Sequence, residues 1–420
     1  MDVLLDVNIL GRGIGGDISR TGIFRATLGL THAMVRRPDI SLHFAAEANW
    51  ASELLLLAYD REAGGTLASR ILRAWHHPDI GDAEATALIT HVVTEEAAGR
   101  DARKDRAALT LLNATAQRKG FSRTFDVLHS LRTPLPSPTR VPARVRALTI
   151  HDLIPLRHPE WMYSGAEAEI RVIANSLLPG DFVVANSRTT AGDTSALLGI
   201  EPERIYVTPW AATPEVFYRE RSSERVAETA ARYKIPPGPY LMSLCTLEPR
   251  KNFPQLLRCF HRLIQQRNSL DVRLVLVGAT GWKADPIFAY LDEHSDLRER
   301  VVLAGYVPDA DLAALYSRAR AFAYPSLYEG FGLPVLEAMQ CGTPVITSTE
   351  SSLPEVVGDA GLLVSPTDPE ALTAALLRIL TDDDLVTDLS RRGLQRASLF
   401  SWDRTAKDTI AAYRAMLARA

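Results

Sequence analysis

The sequence predicts an α/β protein made of two doubly wound parallel-sheet domains that face a cleft. Three observations lead there. Short apolar runs recur roughly 20–30 residues apart, with amphipathic helical stretches between them. These runs are apolar along most of their length instead of alternating, which is how a parallel sheet covered on both faces reads. At 420 residues the chain can supply two domains, each burying its own core.

In chain order, the first half places strands at 2–8, 41–46, 126–129, 146–151, 181–186 and 204–208, with a mostly helical stretch over 51–120. Residues 216–236, VFYRERSSERVAETAARYKIP, are polar and end at a proline, so they read as an interdomain connector. The second half is cleaner: strand PYLMSLCT (239–246), helix 252–266, strand VRLVLVG (272–278), helix 286–297, strand VVLAG, helix 309–319 and strand AFAYPS. A helix from 333, strands PVITS and GLLV and a helix over 368–381 complete it. The expected division is 1–215 for the first domain, 216–236 for the connector and 237–395 for the second domain. A terminal helix within 396–420 is expected to pack back toward the first domain. In such sheets ligands bind beyond the carboxyl ends of the strands, so two tandem domains imply a shared cleft.

Composition excludes several classes. Hydrophobic residues make up 46% and charged residues 23%, with a net charge of −3, so no basic field points to nucleic acid. The start, MDVLLDVNIL, carries Asp2 and Asp6 and no basic region, unlike a secretory signal. No apolar run approaches the roughly 20 residues that span a bilayer. Cys245, Cys259 and Cys341 lack metal-ligand spacing and read as buried thiols of a reducing cytoplasm.

GRGIGG (11–16) spells a dinucleotide fingerprint behind an apolar strand. However, it continues into DISRTG, which is loop chemistry, and the helical period begins only at Ile23 and Phe24. The acidic residue that would hold a ribose, Glu47 after SLHFAA, comes too late. A nicotinamide cofactor is therefore not expected.

The segment EGFGLPVLEAMQCGTPVI (329–346) carries more chemistry. Glu329 follows the AFAYPS strand, and Gly330 and Gly332 allow close backbone approach. Pro334 suits a first helical turn, where its missing N–H is not needed. Glu337 then falls about one turn inside the helix, and free N–H groups at Gly332 and Leu333 favour an anion. Upstream, LEPRKN (247–252) sets the adjacent cations Arg250 and Lys251 before a helix, an arrangement that suits a diphosphate. TIHD places His151 and Asp152 at a strand's carboxyl end, while VVANSRTT and VTPWAAT close two further strands.

Together these residues resemble family 4 of the retaining glycosyltransferases, which have the GT-B fold of two Rossmann-like domains. The resemblance rests on EGFGLPVLEAM, LEPRKN, TIHD and the RTGIFR loop (20–25), with LVLVGATGW, LAGYVPDADL and CGTPVITS adding to it. It is dense over 239–365, looser over 1–35 and 147–215, and does not extend over 50–125.

The resemblance implies a hexose, mannose-like, moved from a nucleotide-diphospho-sugar to a glycan or lipid-linked acceptor in polysaccharide or O-antigen assembly. It implies no cofactor and no metal. Arg250 and Lys251 would neutralise the diphosphate, Glu337 would hydrogen-bond the ribose, and Glu329 with the backbone of Phe331, Gly332 and Leu333 would hold the sugar. His151 would lie over that sugar, and Val307 and Leu312 would flank the base. Thr246 and Gly22 would complete the donor contacts.

Three positions depart from relatives. Phe24 in TGIFRA stands where TGIGRY has glycine, Cys245 stands in place of a strand-end glycine, and Trp210–Ala211 replace Asn-Gly. The stretch 100–123 holds seven basic and two acidic residues. It is either a solvated helix face or a dock for the anionic inner membrane surface or a lipid diphosphate acceptor. Other readings are a phosphorylase or sugar synthase on the same fold and an inactive sugar-nucleotide scaffold; an oxidoreductase is a third.

Overall fold

The computed structural model describes residues 1–13, 22–47, 49–97, 103–118, 121–267 and 269–420. The strands are β1 (Asp2–Asp6), β2 (Ser41–Ala45), β3 (Trp75–His76), β4 (Gln117–Arg118), β5 (Phe125–Ser130), β6 (Ala143–Ile150), β7 (Phe182–Ala185) and β8 (Ile205–Val207). In the second half they are β9 (Tyr240–Leu244), β10 (Arg273–Val277), β11 (Val301–Gly305), β12 (Ala321–Tyr324), β13 (Val345–Ser348) and β14 (Leu362–Val364).

One six-stranded sheet runs β2-β1-β5-β6-β7-β8 and the other β11-β10-β9-β12-β13-β14, with every pairing parallel. Each is doubly wound, with strand order reversing beside β1 in the first and beside β9 in the second. The expected strands are thus present, and their buried apolar residues explain why: Val3, Leu4 and Leu5 of β1 and Leu241 and Met242 of β9 have helices on both faces.

Three local features differ from the sequence expectation. Two-residue strands β3 and β4 pair antiparallel outside both sheets, too short to leave a periodic signal. The helix expected over 286–297 is broken into Asp285–Glu293 and Ser295–Arg298 at His294, whose φ/ψ of −130°/88° is not helical. The connector holds a helix, Ser223–Arg232, capped by Ser222, whose side chain accepts from Arg225 N. Arg232 and Tyr233 both donate to Asp311, at 2.8 and 2.7 Å, so the connector is fastened to the second domain.

The last helix, Trp402–Leu417, leaves the second domain and packs on the Gly22–Val35 helix and on β5 and β6. Gly29 makes this possible, since a Cβ there would lie 2.3 Å from the Trp402 ring. Tyr413 of the same helix is fully buried and bonds His129 Nδ1 at 2.6 Å, while His129 Nε2 bonds Thr149 Oγ1 at 2.7 Å.

Candidate active site

At the β9/β12 switch point the two motif strands end side by side, and their following loops meet. Arg250 and Lys251 lie in a short turn, Pro249–Lys251, closed by Asn252 in the left-handed region at φ 62°. Glu329 lies in the loop after β12. Lys251 Nζ donates to Glu329 Oε1 at 2.5 Å and to the Tyr324 hydroxyl at 2.6 Å, and Tyr324 in turn donates to Glu329 Oε1 at 2.8 Å. Arg250 NH1 donates to Glu329 Oε2 at 2.6 Å, and its Nε is 2.7 Å from Glu248 Oε1. Ser326 Oγ adds a fourth donor to Glu329 at 2.7 Å.

Burial alone would raise the Glu329 carboxyl. The charges of Arg250 and Lys251, with hydrogen bonds from Lys251 and Ser326, outweigh it and hold the group down at about 2. Glu329 is therefore a fixed anion that aims two cations. Glu248, Tyr324 and Ser326 had no mark in the sequence beyond lying inside or next to the motifs.

Glu337 lies on the Leu333–Gln340 helix and is buried. Its Oε2 accepts from the Tyr316 hydroxyl at 3.2 Å, and its Oε1 is 3.6 Å from Arg25 NH1 of the first domain. Burial pushes this carboxyl up to about 7, with Arg25 and the Tyr316 hydrogen bond opposing it. Both glutamates are buried.

His151 follows β6. Its Nε2 lies 2.6 Å from the Leu131 carbonyl, which can only accept, so that nitrogen carries the proton. Nδ1 is then the acceptor, and it is buried with no hydrogen-bond partner among the described residues. Burial and the nearby Arg132 push the imidazole down to about 3, so it is neutral at working pH. The ring sits 5.1 Å from Trp210, one of the residues that departs from relatives. Beside it lies a cavity of about 130 Å³ lined by Arg132, Thr149, Asp152, Tyr163 and Glu169 among others. A larger cavity of about 610 Å³, beside the connector, is lined by His32, Arg36, Phe217, Arg219, Gln340 and Trp402 among others.

The glycines of EGFG pack closely. Their close approach is to protein. A Cβ at Gly330 would lie 2.3 Å from the His151 carbonyl oxygen, and one at Gly332 (φ 106°) would lie 2.8 Å from the Leu353 side chain. Gly330 O accepts from Ser187 Oγ at 2.6 Å and from Thr190 Oγ1 at 3.1 Å. Tyr328 donates to Asp193 at 2.7 Å, and Glu355 accepts from the Arg188 and Thr189 amides at 2.9 and 2.8 Å. The two domains thus close on each other through this loop.

Phe331 and Leu333 are buried beside it, and Val307 and Leu312, the latter on the Asp309–Arg318 helix, are buried in the core. Thr246 is exposed at the mouth of β9. Gly22 is exposed, and a Cβ there would lie 3.5 Å from Leu333 Cδ1. Residues 14–21, which include most of the first glycine loop and Arg20–Thr21 of RTGIFR, lie outside the described residues.

Residues 238–382 match a family model described as Glycosyl transferases group 1. Over 270 residues the chain is 36% identical to the O-antigen chain mannosyltransferase B of Escherichia coli, covering 63% of this chain and 69% of that one. It is 30% identical over 270 residues to the serotype-specific mannosyltransferase WbdA of Escherichia coli, covering 64% of this chain but only 33% of that protein. The structure of Anabaena HepE in complex with UDP and glucose matches over 98% of both chains with a TM-score of 0.63 at 16% identity, which shows a shared fold. With the family model matched across the second domain and more than two thirds of the first of these relatives covered, the chain belongs to the group 1 glycosyltransferases and has their GT-B fold.

Proposed function

We propose that the chain moves mannose from a nucleotide-diphospho-sugar to a glycan or lipid-linked saccharide, with retention of configuration and without a metal, in the assembly of an O-antigen-type polysaccharide. The observation that carries this reading is the pair Arg250–Lys251 held by one buried carboxylate at a switch point. The names of the two mannosyltransferase relatives support the sugar and the pathway. HepE bound to UDP and glucose supports a nucleotide-sugar donor.

In this reading Arg250 and Lys251 donate charge-assisted hydrogen bonds to the diphosphate. Its charge grows as the glycosidic bond breaks, so these contacts strengthen in the transition state. Glu329 orients both cations and borders the sugar, together with the backbone of Phe331, Gly332 and Leu333. Glu337 accepts from the ribose hydroxyls. Thr246 and Gly22 line the donor, and Val307 and Leu312 back the base. Neutral His151 offers Nδ1 to a hydroxyl of the sugar.

The test is transfer from a panel that includes GDP-mannose and UDP-glucose to a lipid-linked saccharide, with NMR of the new anomeric centre. Mannose transfer with retention, undiminished by EDTA, is expected. Loss on chelation that magnesium or manganese restores sinks the metal-independent part. Phosphate-dependent cleavage of a disaccharide without nucleotide overturns the transferase reading.

We also infer peripheral docking at the cytoplasmic membrane face through the Arg103–Thr115 helix. That helix has no buried residue, and it exposes Lys104 and Leu111, the latter at 67%. Among the described residues no helix is long and apolar enough to cross a membrane. Co-sedimentation with phosphatidylglycerol vesicles that Leu111→Asp weakens is the expected result, and equal partitioning of both proteins to the supernatant rules the dock out.

A further inference from the structure

Arg25 stands on the first turn of the Gly22–Val35 helix in the first domain, but its charge partners belong to the second. Its Nε donates to Asp309 Oδ2 at 3.2 Å, and NH2 donates to the other Asp309 oxygen. NH1 is 3.6 Å from Glu337 Oε1. The guanidinium also lies over the Phe217 ring of the connector, 5.6 Å from its centroid. One side chain therefore touches both domains and the segment that joins them.

Asp309 opens the Asp309–Arg318 helix, and Tyr316 of that helix donates to Glu337. Arg25 closes this set from outside. Glu337 is 2% exposed, and a buried carboxylate needs a cation or it takes a proton. Among the described residues the cation beside it comes from the opposite domain, so it is present only when the domains are together. The fork matters as well as the charge: two nitrogens are committed to Asp309, which leaves NH1 aimed at Glu337.

We propose that Arg25 is an interdomain positioning residue, which orients Glu337 for the donor's ribose hydroxyls and ties donor binding to domain closure. This rests on the role given to Glu337 under the proposed function. Arg25 acts on the donor through Glu337, with Asp309 holding the guanidinium in place, so its removal weakens donor binding more than it slows the chemical step. The loss of a charge-assisted contact of this kind corresponds to about tenfold to a hundredfold in affinity.

The experiment is steady-state kinetics with the donor varied, on wild type, Arg25→Gln, Arg25→Lys, Glu337→Gln and the Arg25→Gln/Glu337→Gln double variant. Arg25→Gln is expected to raise donor KM by that factor with kcat within about threefold. Arg25→Lys, which keeps charge without the fork and is the milder test of folding, falls between. The double variant is expected to match Glu337→Gln alone, because the partner is already gone. Unchanged donor KM in Arg25→Gln, or additive effects in the double variant, overturn the inference and leave the proposed function standing. Wild-type protein that transfers no sugar from any donor overturns both.

Discussion

Glu329→Gln is expected to abolish transfer and to lower the stability of the second domain together. The side chain is 6% exposed and accepts from Lys251, Arg250, Tyr324 and Ser326. The amide keeps the shape but loses the charge that compensates buried Lys251 and part-buried Arg250, and it presents hydrogens toward groups that also donate. Breaking a buried ion pair on one side costs roughly 3–5 kcal/mol. Glu248 still faces Arg250 at 2.7 Å, but it reaches Lys251 only at 4.0 Å, so Lys251 is the more exposed to the change. Denaturant unfolding and kcat, measured on the same preparation, check both halves. A variant that unfolds with wild type and keeps wild-type kcat would show that Glu329 holds nothing in place.

Gly330→Ala is expected to cut kcat/KM by about a hundredfold or more, since an ångström of misplacement at a reacting centre has that effect. The added Cβ would stand 2.3 Å from the His151 carbonyl oxygen and 2.8 Å from Asp152 Cβ. That carbonyl cannot retreat freely, because Asn186 Nδ2 donates to it at 2.9 Å. Gly330 itself is held by Ser187 and Thr190. The methyl therefore pushes one domain off the other. Gly330 is not among the residues of positive φ, so alanine fits its own backbone and each domain keeps its fold. Small-angle scattering should show a larger radius of gyration, with circular dichroism unchanged. Gly192→Ala, whose Cβ meets nothing within 4 Å, serves as the neutral comparison. Wild-type kinetics in Gly330→Ala would refute closure through this loop.

The architecture was legible because burial on both faces leaves an uninterrupted apolar run in the chain. β1, β7, β10 and β12 carry one, whereas β5 and β6 are interrupted at Asp126, His129, Arg144 and Arg146, and the order of the strands along the chain follows from the helices between them. The motif residues were legible because each is a rare residue type at a strand's carboxyl end: Arg250 and Lys251 after β9, Glu329 after β12, His151 after β6. β3 and β4 left no trace, since two residues cannot show a period.

What the chain could not show is which charge answers which. Lys251 and Glu329 are 78 residues apart, and Arg25 and Asp309 are 284 apart. A glutamate in a loop reads the same in sequence whether it faces water or neutralises two cations. Tertiary packing decided that Glu329 is held near pKa 2 while Glu337, eight positions on, is lifted to about 7. It also decided that Gly330 makes room for another domain's carbonyl. The physical reason is range. Periodicity and capping act within a few residues and are written locally, whereas desolvation and Coulomb pairing depend on what the fold brings within a few ångströms from anywhere along the chain.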